Sequence, residues 1–164
     1  MPSVLHEKQI RIALRWLKAQ GFSVVASNIR AAQSREIIDA IGFRDSCSIV
    51  IESKISRSDF MSDRKKPERH EGAIALGTYR FYICPPNLIK AEEVLPLGWG
   101  LLYAEGSRII QEFKPKGNLW PCAGYDSSIG DEWIPYQHLV NPKAERSILF
   151  SICRRLIKNE PIIK

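Results

Sequence analysis

Long apolar runs are missing from this sequence. The longest uninterrupted stretches, such as residues 49–51 and 100–104, fall far short of the roughly 20 residues that a membrane-crossing helix needs. The first 18 residues carry His6, Glu7, Lys8, Arg11 and Arg15 where a signal peptide would have its apolar centre. These two absences predict a cytoplasmic protein with no membrane partner. Cysteine is also sparse. Cys47, Cys84, Cys122 and Cys153 form no Cys-x-x-Cys pair and have no histidine at ligand spacing, which argues against a zinc site and leaves them as small buried hydrophobes in a reducing compartment. No Ser-His-Asp arrangement, phosphate-binding P-loop or dinucleotide glycine fingerprint is present, so those enzyme classes are set aside. His70 and His138 stand alone and read as non-catalytic.

What remains is an ordinary globular composition. With 45% hydrophobic and 26% charged residues over 164 positions, the chain predicts one domain spanning 1–164 with a single core. The 24 basic residues exceed the 18 acidic ones, for a net charge of +6, a surplus that attracts polyanions such as nucleic acid.

Periodicity orders the elements. Residues 3–20 read as a helix capped by Ser3 and stopped by Gly21, with Ile10, Ala13, Leu14 and Leu17 as one apolar stripe. Leu5, Ile12 and Trp16 form a second line, so the helix is expected to be covered on two sides. Residues 22–29 are β-rich, and 36–43 with 47–54 form a hairpin across residues 42–46. A helix starts at Ser56 or Ser58 and runs to 64, a short helical turn is expected at 71–76, and 78–84 is a strand ended by Pro85-Pro86. Residues 100–105 and 108–113 make a second hairpin, 114–141 are a loop-rich extension, and 144–158 close the chain as a helix with Ile148, Ile152 and Leu156 on one side. The fold class is therefore α/β, a mixed central sheet flanked by helices.

Three charges interrupt the first hairpin. Asp39 breaks an Ile-rich strand, and Glu52 and Lys54 punctuate the next; charge on buried strands needs compensation. A hairpin centred between residues 45 and 46 sets Asp39 opposite Glu52, where Cβ atoms lie about 4.5–5.5 Å apart on one face. Lys54, two residues along, shares that face. Two such carboxylates repel unless a cation or a proton intervenes, and all-oxygen ligands suit Mg²⁺ or Mn²⁺. With an ammonium group alongside, this is equipment for phosphodiester hydrolysis. The plainer alternative is a buried salt-bridge cluster or an exposed cross-strand ion pair.

Asp39, twelve residues, then Glu52-Ser53-Lys54 resembles the PD-(D/E)XK nuclease superfamily. The following stretch, 53–67, with its serine-rich helix start, Asp59-Phe60, Asp63 and Lys65-Lys66, and later Arg80-Phe81-Tyr82, is similar to the MmcB-type DNA-repair branch. The likeness covers about residues 35 to 105. It implies a restriction-endonuclease-like αβββαβ core. It also implies Asp39, Glu52 and the Ser53 carbonyl as metal ligands, Lys54 as the catalytic lysine and Glu7 as the helix-borne acid. Ile38 stands where the name-giving proline would be, and Pro67 follows Lys65-Lys66 where related sequences tend to have tryptophan. The expected function is a Mg²⁺- or Mn²⁺-dependent nuclease acting on DNA before RNA, with a homodimer left open. Its alternative is a catalytically inactive nuclease-like module that binds nucleic acid or a protein. Arg57, Arg64, Lys65 and Lys66 are the candidate phosphate-gripping residues, although Asp59 and Asp63 on the same helix suggest a solvated face. Trp120, Tyr125, Trp133 and Tyr136 either stack unpaired bases or anchor the late loop to the core.

Overall fold

In the computed structural model, which describes residues 3–32, 34, 36–124 and 128–157, Ser3 caps helix α1 (Val4–Ala19) by accepting the His6 N–H. Gly21, at φ 85°, ends the helix in a conformation that side chains with a Cβ resist. Ile10, Ile12, Ala13, Trp16 and Leu17 are buried, so the helix is covered broadly, but Leu5 remains exposed and the second apolar line begins only at Ile12.

Six strands follow: β1 (Val24–Arg30), β2 (Ile37–Phe43), β3 (Ser48–Ser53), β4 (Tyr79–Cys84), β5 (Gly100–Glu105) and β6 (Arg108–Phe113). They lie in sequence order within one sheet. The β1–β2–β3 and β5–β6 pairings are antiparallel, while β3–β4 and β4–β5 are parallel. Parallel neighbours need crossovers. The first is made by α2 (Arg57–Asp63), capped by Ser56, and the second by the short α3 (Ala91–Val94) with a 3₁₀ turn at Leu95–Leu97. The central strands β3 and β4 are buried along their whole length, as strands covered on both faces must be. One face carries α1, with Trp16 and Leu17 packed among Ala40, Ile49, Ile51 and Phe81. On the other face, Ile41 and Val50 meet Ala144 and Ile148 of α4 (Pro142–Ile157). A third cluster gathers Phe60, Tyr82, Trp99 and Leu101 beneath α2. This is the expected α/β class, a mixed sheet flanked by helices, with α1–β1–β2–β3–α2–β4 as its opening order. Among the described residues no helix is long and apolar enough to cross a membrane.

Several expectations are corrected. Residues 71–76 form no helix. A 3₁₀ turn at Pro67–Arg69 precedes them, and Ala75 instead makes a single parallel bridge to Val140. Arg80, on β4, reaches back to hold this segment, donating to the carbonyls of Leu76, Gly77, Ala73 and Leu139. The late segment is no appendage. Trp120 and Trp133, ring centroids 4.5 Å apart, sit in the main core with Tyr79, and Tyr136 packs against that core. They anchor the segment, which includes a 3₁₀ helix at Asp131–Tyr136; Tyr125 lies outside the described residues. Cys47 and Cys84 are buried as expected, but Cys122 is half-buried and Cys153 is exposed. α4 begins at Pro142, and of its predicted stripe Ile148 is buried while Leu156 is exposed.

Candidate active site at the end of the β2–β3 ladder

The hairpin register is the one that sets Asp39 against Glu52: the pairs run from Phe43↔Ser48 to Ala40↔Ile51. The main-chain ladder stops there. One residue further on, the Asp39 carboxylate Oδ2 accepts the Ser53 N–H at 2.8 Å, while β3 continues pairing with β4 through Glu52↔Tyr82 and Ser53↔Ile83. On the other side β1 also skips Asp39. Its register passes from Ser27↔Ala40 to Ile29↔Ile38, and the intervening Asn28 takes φ 49°, a left-handed conformation uncommon for a non-glycine residue. Asp39 thus sits at a break in the sheet, joined to both neighbours by geometry that a regular ladder lacks.

Helix α1 supplies the roof. His6 Nε2 lies 3.3 Å from Asp39 Oδ2, and the Ser53 hydroxyl donates to Gln9 Oε1 at 2.6 Å. Glu7, the expected helix acid, is not in this group. It is exposed and reaches Arg11 at 3.6 Å. Residues one before and two after it occupy the place assigned to it, because helical rotation of about 100° per residue carries position 7 to another face.

Glu52 and Lys54 are 3% and 5% exposed. Lys54 Nζ stands 3.7 Å from Glu52 Oε2 and 3.4 Å from Asp63 Oδ1. Asp63, expected on a solvated helix face, is buried and is the hub of the cluster. It receives Arg69 Nε at 2.7 Å and Nη2 at 3.1 Å, the Tyr82 hydroxyl at 2.8 Å and Lys66 Nζ at 2.8 Å. Arg69, on the 3₁₀ turn, also lies 2.7 Å from Glu36 and 3.7 Å from Glu52 Oε2, with its guanidinium over the Trp99 ring.

Electrostatics divides these carboxylates. Burial would raise Asp63, but the hydrogen bond and charge of Arg69, helped by Lys54 and Lys66, hold it well below the usual carboxylate range. For Glu52 burial wins and pushes its carboxyl well above that range. Arg69 and Lys54 pull it down, and the charges of Asp39 and Asp63 push it up. Glu52 Oε1 is buried with no hydrogen-bond partner among the described residues. A buried oxygen of this kind is costly unless a cation or proton joins it.

Asp63, Arg69, Glu36, Gln9 and His6 complete the cluster beyond the residues expected to form it. Their separation along the chain left no spacing signal; only the α2 crossover and the turn after it bring Asp63 and Arg69 to the end of β3. The candidate phosphate-binding residues are dispersed. Arg57 forms a two-point salt bridge with Glu93, Lys66 is tied to Asp63, Arg64 lies over the Phe60 ring, and Lys65 is exposed. His70 is exposed, and the half-buried His138 Nε2 donates to the Gly98 carbonyl at 2.9 Å; neither belongs to the cluster.

No family model matches the chain, and no curated protein matches it. A solved structure, the SPO1766 protein of unknown function from Silicibacter pomeroyi, shares the fold with a TM-score of 0.59 at 22% identity over 98% of this chain and 93% of that one.

Proposed function

We propose that this chain is a metal-dependent nuclease of the restriction-endonuclease-like type, hydrolysing phosphodiester bonds of nucleic acid, most readily DNA. The observation that carries this reading is the pair Asp39 and Glu52. They are placed opposite each other where the β2–β3 ladder ends, and Glu52 Oε1 is buried without a partner. The residues suit Mg²⁺ or Mn²⁺. Both donors are hard oxygens, the charge each imposes on the other is the repulsion a cation relieves, and both contacts to Asp39 use Oδ2. Asp39, Glu52 and the main chain of Ser53 would hold the ion. When bound, it would polarise a phosphoryl oxygen and acidify a water.

The protein's own groups do the rest. Lys54, held between Glu52 and Asp63, keeps an ammonium beside the acidic pair, where it orients a water and offsets charge on the phosphate. Asp63 and Arg69 fix that lysine's surroundings by their own hydrogen bonds. Gln9 fixes Ser53, whose N–H in turn orients the Asp39 carboxylate. The expected outcome with Mg²⁺ or Mn²⁺ is cleavage of plasmid, linear or single-stranded DNA or of RNA by the wild-type chain. Asp39→Ala and Lys54→Ala should each lower it by at least about 100-fold with unchanged circular dichroism. Equal cleavage by those variants overturns the assignment.

A second reading has its own support. Lys54 and Arg69 already lie 3.7 Å from Glu52, and a lysine this deeply buried is poorly placed to meet a polymer. A nuclease-like module without turnover would bind nucleic acid with a steep salt dependence and show no metal-dependent cleavage by any variant.

A further inference from the structure

The outer face of α4 is cationic. Lys143, Arg146, Phe150 and Arg154 are all exposed and recur at intervals of three and four, which puts them in one row about 16 Å long. The sole carboxylate of this helix, Glu145, turns inward, where it accepts from the Ser48 hydroxyl and from the Gly77 N–H at 3.1 Å. Among the described residues none of the row's cations has a carboxylate partner, in contrast to Arg57 and Lys66 near α2. Between the cations, Phe150 is 64% exposed with the Arg154 guanidinium 5.9 Å from its ring centre. Beside the row lies a groove of about 400 Å³ lined by Ala32, Lys143, Arg146, Ser147 and Phe150. The Ala32 N–H donates to Ser147 Oγ at 2.9 Å, tying that residue to α4.

We propose that this face of α4, with the groove beside Ala32, is the docking surface for single-stranded nucleic acid, Phe150 stacking a base and Lys143, Arg146 and Arg154 holding the phosphates on either side. The inference rests on nucleic acid as the substrate class and adds where the polymer sits. An exposed aromatic ring set among unpaired cations suits a chain that alternates flat bases with anionic phosphates. An acidic peptide would engage the cations and leave the ring unused.

The test is fluorescence anisotropy of a labelled oligothymidylate with the full chain in EDTA, so that binding is read without cleavage. Phe150→Ala should weaken binding about 10-fold. The double variant Arg146→Gln/Arg154→Gln should lower the slope of log affinity against log salt by about 1.4. All three positions are exposed, so thermal unfolding should be unchanged; the charge reversal Arg146→Glu should weaken binding further. Binding that depends on α4 in a chain that never cleaves would discard the nuclease reading and keep this one, whereas cleavage and binding indifferent to the α4 variants would discard this one alone. Failure of the wild type to bind at about 50 mM salt, or polyglutamate of equal charge binding as tightly while Phe150→Ala changes nothing, overturns it.

Discussion

Two buried cationic centres lie close together on β4 and at the end of β3, and their charges are met by different kinds of partner. Arg80, 2% exposed, donates to main-chain carbonyls of Ala73, Leu76, Gly77 and Leu139. Burial, with the charge of Arg69 adding to it, lowers its pKa to about 10. Arg69, 5% exposed, and Lys54 instead face carboxylates, those of Asp63, Glu36 and Glu52. Carbonyls are fixed by the path of the chain, so the Arg80 centre holds a loop in place. Carboxylates can exchange one cation for another, so the Arg69 centre has the chemistry of a site that responds to ions. Burial of charge alone therefore does not distinguish the two centres; the nature of the partner does.

The largest expected effect separates the two centres. Arg69→Met leaves Asp63 and Glu36 buried with diminished compensation and should cost about 3–5 kcal/mol in urea unfolding. Arg80→Met strands neutral carbonyls and should cost about 3 kcal/mol, with metal-dependent cleavage or binding retained where the variant is folded. Equal loss of function from both would break the distinction.

A smaller effect sharpens the Arg80 side. Burial and the charge of Arg80 bring His138 down to about 4, against a hydrogen bond to Gly98 that favours its charged form. Its folded pKa lies below the unfolded value of about 6.5. Its contribution is therefore complete above that pH and is lost as pH falls toward 4, up to about 3 kcal/mol in all. His138→Gln should flatten the stability profile across this window, measured by urea midpoints at each pH. The smallest effect concerns the helix acid. Glu7→Ala removes only an exposed pair with Arg11 and should change stability by less than about 0.5 kcal/mol and leave cleavage untouched; a 10-fold loss of cleavage would return Glu7 to the site.

Local patterns were read well. Ser3 and Gly21 bracket α1 as capping chemistry requires, and the hairpin turn set the register that brings Asp39 opposite Glu52. The helix expected at 71–76 failed because Ala75 pairs with Val140 and Arg80 takes the carbonyls of Ala73 and Leu76, partners distant in sequence or on another element. Asp63 looked solvated for the same reason: its cations, Lys54 and Arg69, come from β3's end and the turn after α2.

From its residues alone this protein owes the order of its six strands and of α1, α2 and α4, and the alignment of two carboxylates across one hairpin, since capping, periodicity and turn length act over a few residues. Folding in three dimensions decided which charges share a buried space. Asp63, Arg69 and Glu36 joined Glu52 and Lys54, Gln9 and His6 replaced Glu7, and Trp120 and Trp133 closed the core. Side-chain burial and charge compensation are set by elements that meet only when the sheet is assembled.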